Sequence, residues 1–213
     1  MRRVALAGAT GLVGQSLLAG LLADATVGEV HVVTRRAPLV SHVKLRAHVV
    51  DFADLPVFPA VDEVYLALGT TIRLAGSQAA FRAVDLDANL AVARAARAAG
   101  ATRAGLVSAM GADARSSVFY NRVKGELEDA LPALGFDALV VARPSLLLGD
   151  RAALGQPARL VEALSMRVAR VLAPLIPQNY RAIDVTQVAL ALLARVPVAR
   201  GVEVLLSGAM QPR

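Results

Sequence analysis

The sequence predicts an α/β protein built on a doubly wound, mainly parallel sheet with a small C-terminal substrate-side region, and three observations carry that prediction. Short β-branched apolar runs alternate with Ala- and Leu-rich stretches, the pattern of strands covered by helices on both faces. The first run, residues 4–7, feeds directly into Gly8-Ala9-Thr10-Gly11-Leu12-Val13-Gly14 and then a helix candidate, which is the order strand, glycine turn, helix. Finally, 213 residues with 56% hydrophobic but only 4% aromatic content can bury one substantial core filled by Val, Leu and Ala.

Taken in order, the first strand and turn lead into a helix ending near Asp24. Strands are expected at 30–34, 46–50 and 64–68. A long helical region over 77–99 is expected to be kinked or divided near Val84 and Asp85, with Gly100 placed to stop it. A strand at 103–107, a helix over 117–130 and a strand at 137–142 continue the alternation, and Pro144 ends the regular ladder. Helices at 158–172 and 184–194 and a strand at 204–207 follow. Leu160, Leu164, Val168, Val171 and Leu172 form an apolar stripe suited to a lid or a partner surface. With no repeat and no low-complexity linker, residues 1–213 are expected to form one domain whose substrate-side elements lie at about 144–213.

Composition removes several chemistries. Without cysteine there is no disulfide, thiolate nucleophile or cysteine metal site, and His31, His42 and His48 lack zinc spacing, so no metal is expected. Arg or Asp interrupts every long apolar stretch, and Met1-Arg2-Arg3 belongs to a strand, so the expectation is a soluble cytoplasmic protein without integral membrane association. The net charge of +6 favours anionic ligands, but the arginines are dispersed and no recognition helix accompanies them, so no specific nucleic acid is expected. The long helices fit a monomer or a homodimer.

The glycine turn is the expected phosphate cradle. Gly8 and Gly11, with Thr10, Leu12 and Val13, bring backbone amides to a pyrophosphate at a helix N-terminus, and Gly14 allows close helix-to-strand packing. Arg35 and Arg36 follow the second strand, where guanidinium groups suit an added ribose phosphate and no carboxylate is present to favour a plain ribose. The cofactor expectation is therefore NADP(H) in preference to NAD(H), a solvated basic pair being the alternative. Asp51 and Phe52 either border an adenine or, through Asp51, cap a helix. Leu68, Gly69, Thr70 and Thr71 either run beside the ribose and pyrophosphate or cap a turn.

At the other end, Tyr120 and Lys124 share a helix face one turn apart, and Ser108 ends the preceding strand. In that arrangement Tyr120 donates a proton to a carbonyl oxygen as hydride arrives, Lys124 favours the phenolate and binds ribose, and Ser108 orients the carbonyl. Helix-surface chemistry is the alternative for such a pair. Arg143 and Arg151 would attract an anionic substrate, unless Arg143 ties down the strand-end loop.

With these segments, and with Val107-Ser108-Ala109-Met110-Gly111-Ala112, Phe119-Tyr120-Asn121-Arg122-Val123-Lys124-Gly125-Glu126 and Ala142-Arg143-Pro144-Ser145-Leu146-Leu147-Leu148-Gly149, the sequence resembles the atypical or extended short-chain dehydrogenase/reductase superfamily. More narrowly, it resembles the HIV Tat-interacting protein 2-like (TIP30-like) small NAD(P)-binding oxidoreductases; Tyr180-Arg181-Ala182-Ile183-Asp184-Val185 also resembles the segment before that family's C-terminal helix. The resemblance implies a Rossmann-like fold, NADP(H) binding, catalytic positions at Ser108, Tyr120 and Lys124, and a nicotinamide-side loop carrying Pro144, Leu146 and Leu147. It also points to Asn89 as a polar site position, with helix packing as the alternative. The expected function is NADPH-dependent reduction of a small carbonyl substrate; the alternative is a non-enzymatic NADP(H)-binding regulatory or scaffold protein.

Overall fold

Strand β1 (Arg2–Ala7) turns Val4 and Leu6 to one side and Ala5 and Ala7 to the other, and all four are fully buried. A strand buried on both faces belongs in the middle of a covered sheet. The computed structural model, which describes residues 1–36, 40–148 and 177–211, has this arrangement. Around β1 run β2 (Val27–Thr34), β3 (Leu45–Val49), β4 (Glu63–Leu66), β5 (Arg103–Val107), β6 (Ala138–Arg143) and, after a two-stranded pair β7 (Leu147–Leu148) and β8 (Ile183–Asp184), β9 (Gly201–Leu206). The large sheet has the order β3-β2-β1-β4-β5-β6-β9, and every neighbouring pair is parallel. The doubly wound α/β class is thus what the chain adopts.

Helix α1 (Leu12–Ala23) covers one face together with α6 (Val185–Arg195), burying Leu17, Leu21, Val188 and Leu192 against Val4, Leu6, Val30, Val32 and Val140. On the other face, α4 (Asn89–Ala98) and α5 (Phe119–Ala130) bury Val92, Ala96, Val123 and Leu127 against Ala5, Ala7, Leu66, Leu106 and Val141. The small side chains of β1 and α4 let these layers lie close without aromatic filling.

Several boundaries differ from expectation for identifiable reasons. β2 starts at Val27 rather than 30, because Gly28, which reads as a strand breaker, sits against the Met1 side chain at the lower end of the β1 ladder. β4 stops at Leu66, releasing residues 67–71 as a loop, and β9 starts earlier than the expected 204. The expected long helix is divided at the anticipated place: α3 (Gln78–Arg82) passes through a π-helical turn (Ala83–Ala88) into α4. A one-turn helix α2 (Ile72–Ala75) precedes it, capped by the Thr71 hydroxyl, which accepts the Leu74 N–H at 3.2 Å. The expected helix at 158–172, its apolar stripe and Arg151 lie outside the described residues.

Candidate functional site

The order of the sheet reverses between β1 and β4, and a crevice opens there at the C-terminal strand ends, the usual binding position in such sheets. It holds a cavity of about 580 Å³. Gly8, Thr10, Gly11, Leu12 and Val13 line it at the β1–α1 turn, Arg35 and Arg36 after β2, Phe52 after β3, and Leu68, Gly69, Thr70 and Thr71 after β4. Ser108, Tyr120, Lys124 and Leu147 close its other end. The structure therefore collects sixteen of the expected site residues around one space.

Asp51, Pro144 and Leu146 are not among that lining. Asp51 is exposed and its carboxylate accepts the Ala53 N–H at 3.0 Å, which closes a turn rather than starting a helix. The Pro144 carbonyl accepts the Met110 N–H at 2.9 Å, and Leu146, 64% exposed, gives its carbonyl to the Ile183 N–H. These contacts fix the loop after β6 and leave Leu147 to face the cavity.

The glycines separate into two kinds. Gly8 has φ +88°, and a Cβ on it would lie 2.3 Å from the Ala67 carbonyl oxygen; a Cβ on Gly14 would lie 1.9 Å from the Gly8 carbonyl oxygen. Both are required by the protein's own packing, with Gly14 pressed on the turn itself. A Cβ on Gly11 would meet only Gly8 O at 3.4 Å and Ala67 O at 4.0 Å. Its bare backbone instead leaves the cavity side open.

The α1 N-terminus carries no side-chain cap, whereas α2, α3 and α6 are capped by Thr71, Ser77 and Asp184. Its first-turn N–H groups are thus directed toward the turn without an internal side-chain acceptor, and no acid in the first turn offsets their partial positive charge. After β2, the Thr34 hydroxyl donates to the Arg36 carbonyl at 2.8 Å, folding the chain so that both exposed arginines reach the cavity. Neither forms an ion pair among the described residues.

At the reacting end, the Lys124 ammonium lies 2.8 Å from Asp85 Oδ1, the two side chains being 6% and 1% exposed. Asp85 Oδ2 accepts the Thr70 N–H at 2.8 Å. Asp85 was not singled out in sequence as a site residue; the signal was its position at the anticipated helix break. Asn89 does not line the cavity but donates through Nδ2 to the carbonyls of Leu68 at 3.1 Å and Asp85 at 3.0 Å, pinning the loop to the π turn. Tyr120 packs its ring on Phe81, with centroids 5.6 Å apart.

Ser108 has a different neighbour from the one its expected role requires. Its hydroxyl donates to Glu128, which lies one turn beyond Lys124 on α5 and accepts a forked pair of bonds from Arg143, closest at 2.6 Å. That hydrogen bonding raises the Arg143 pKa above its usual value. Arg143 thus ties the β6 end to α5, the second of its two expected roles. Glu128 carried no signal in the sequence beyond its helical spacing from Tyr120 and Lys124.

No family model matches the chain. Among curated proteins, it is 36% identical over 161 residues to "Protein fmp52, mitochondrial" of Emericella nidulans, covering 71% of this chain and 69% of that one. It is likewise 36% identical over 174 residues to the Aspergillus niger protein of that name, covering 77% and 73%. Among solved structures, MoeE5 in complex with UDP-glucose and NAD superposes with a TM-score of 0.71 at 18% identity, covering 95% of this chain and 75% of that one. A short-chain dehydrogenase family protein from Francisella tularensis gives 0.66 at 12% identity, covering 98% of both chains. At such identities the likeness is one of fold.

These relatives overturn the cytoplasmic expectation, since the curated proteins are named as mitochondrial. Missing cysteine and missing apolar spans describe a chain's chemistry in any aqueous compartment and carry no address. Among the described residues, no helix is long and apolar enough to cross a membrane, and no cluster of three metal-ligating side chains occurs.

Proposed function

The chain belongs to the family of the mitochondrial Fmp52 proteins and has the fold of the short-chain dehydrogenase/reductase superfamily, and from that premise we propose that it is an NADPH-dependent reductase of a small carbonyl compound. The observation that carries this reading is that one cavity at the β1–β4 crevice is lined at one end by the glycine turn and at the other by Tyr120 and Lys124. Within the superfamily, the motif around Tyr120 supports a place beside the TIP30-like oxidoreductases.

The residues fit a dinucleotide. Gly11, open toward the cavity, and the uncapped N-terminus of α1 receive the pyrophosphate. Arg35 and Arg36 would hold the additional ribose phosphate through their guanidinium groups, which favours NADPH over NADH. Loop 68–71 borders the adjoining ribose, and Phe52 and Leu147 supply apolar contact at the two ends. The nicotinamide, when bound, supplies the hydride. Tyr120 donates its hydroxyl proton to the carbonyl oxygen, and Lys124 stabilises the resulting phenolate charge and holds ribose hydroxyls. The substrate enters beside Leu147, within the one domain.

One observation favours a second reading, an NADP(H)-binding scaffold without turnover: the Ser108 hydroxyl is held by Glu128 rather than offered to a carbonyl. The Tyr120→Phe variant separates the two. As a reductase, the variant keeps NADPH affinity in calorimetry while carbonyl-dependent NADPH oxidation falls by about 10²- to 10⁴-fold. Turnover equal to wild type would remove the proton-donor role.

A further inference from the structure

Building on the dinucleotide reading, we propose that Asp85 is a positioning residue: it holds the Lys124 ammonium at the cavity wall and ties it to loop 68–71, so that the loop receiving the cofactor and the helix carrying Tyr120 form one rigid unit. The two oxygens of Asp85 are divided between these elements. Oδ1 faces Lys124 Nζ at 2.8 Å on α5, and Oδ2 accepts the Thr70 N–H at 2.8 Å on the loop. Both side chains line the cavity although they are almost wholly buried.

Gly69 crosses directly over the pair. A Cβ there would lie 3.5 Å from Asp85 Oδ1 and 3.9 Å from Lys124 Nζ, so the loop passes close to both groups. The π turn supports the same arrangement. Its wider winding carries Asp85 inward, and Asn89 grips both the Asp85 carbonyl and the Leu68 carbonyl, fixing the turn to the loop it serves.

Charge explains why a carboxylate occupies this position. An ammonium taken out of water without a partner is costly, and Asp85 is the anion that meets Lys124. Side-chain choice points the same way. Of 23 basic residues only Lys44 and Lys124 are lysines, and each presents a compact ammonium to oxygen atoms of the protein itself. Lys44 does so by donating to the carbonyls of Leu22 and Asp24 at 3.0 and 2.7 Å, at the end of α1.

The two-lysine composition makes the test clean. Protein labelled with nitrogen-15 lysine has only Lys44 and Lys124 side-chain amino groups, which NMR follows in wild type, Asp85→Asn and Asp85→Glu. The expected result is that Asp85→Asn displaces the Lys124 resonance, leaves that of Lys44 in place, and weakens NADPH binding about tenfold by calorimetry, as loss of the buried ion pair that places the ammonium implies. Asp85→Glu, which keeps the charge, is expected to retain most of the affinity. An Asp85→Asn protein with the wild-type Lys124 resonance and wild-type affinity overturns the proposal and leaves the cofactor reading standing. If Asp85→Asn does not fold, an Asp85→Glu protein with a displaced Lys124 resonance but unchanged affinity overturns it equally. Wild-type protein that binds neither NADPH nor NADH defeats the cofactor reading, and the proposal with it.

Discussion

Gly11 and Gly14 belong to the same turn, yet their missing side chains serve different partners. A methyl on Gly14 would overlap the Gly8 carbonyl at 1.9 Å, whereas on Gly11 it would make only ordinary contact with protein and would intrude on the cavity. Gly14→Ala is therefore expected to lower the melting temperature sharply or prevent folding. Gly11→Ala is expected to melt within a few degrees of wild type while losing NADPH binding; a Gly11→Ala protein of full affinity would remove that glycine from the phosphate cradle. Sequence spacing alone assigned Gly8 and Gly11 to phosphate and Gly14 to packing. Only the surrounding backbone separates Gly8, which its own fold requires, from Gly11, which the protein's own packing does not require. Ser108 shows the same limit: its place at a strand end was legible, but its commitment to Glu128 depends on the helix packed above it.

Among the elements, the broken helix before β5 is the most informative. Its division near Val84 and Asp85 was legible because charged and β-branched residues interrupt the Ala-rich pattern there. That the break is a π turn holding a buried acid was not, since the acid's partners lie on other elements. The β2–β3 pair makes a separate prediction. His31, 6% exposed, lies with Nδ1 3.0 Å from His48 Nε2, and burial followed by the His48 charge lowers its pKa below 6.5. The unfolded chain then takes up the proton first. Stability is full above about pH 6.5 and declines as pH falls through the lowered native value. The carboxylates of Asp24, Asp62 and Asp113 titrate below 3.8 in the fold and add their losses only at lower pH. Calorimetric melting should accordingly show a falling transition temperature between about pH 7 and about pH 5, which His31→Gln flattens; an unchanged slope in that variant would assign the effect to other groups.

Across the whole molecule, the proposed preference for NADPH has two distinct candidate sources, the net charge of +6 and the local Arg35–Arg36 pair. A diffuse field is screened by salt, while a bidentate contact at the end of β2 is specific to the added phosphate. Replacing both arginines by alanine removes two of six net charges but all of the local contact. The expected outcome is loss of most of the NADPH-over-NADH preference, about 10-fold or more in the ratio of dissociation constants, with NADH affinity little changed. Persistence of the preference in the double variant would assign it to the global field instead.

By itself, the sequence determined the parallel α/β class, the order along the chain of the strands of the large sheet, the glycine turn and the shared face of Tyr120 and Lys124. Each of these is written in local periodicity or in contacts within a helical turn, so a short window of residues contains the cause. Only the tertiary structure decided that Asp85 meets Lys124, that Glu128, itself held by Arg143, accepts the Ser108 hydroxyl, and that Asp51, Pro144 and Leu146 stand outside the cavity lining. Those relations arise where loops and helices distant in sequence converge on one sheet edge, and burial there makes each polar group depend on the partner that packing supplies.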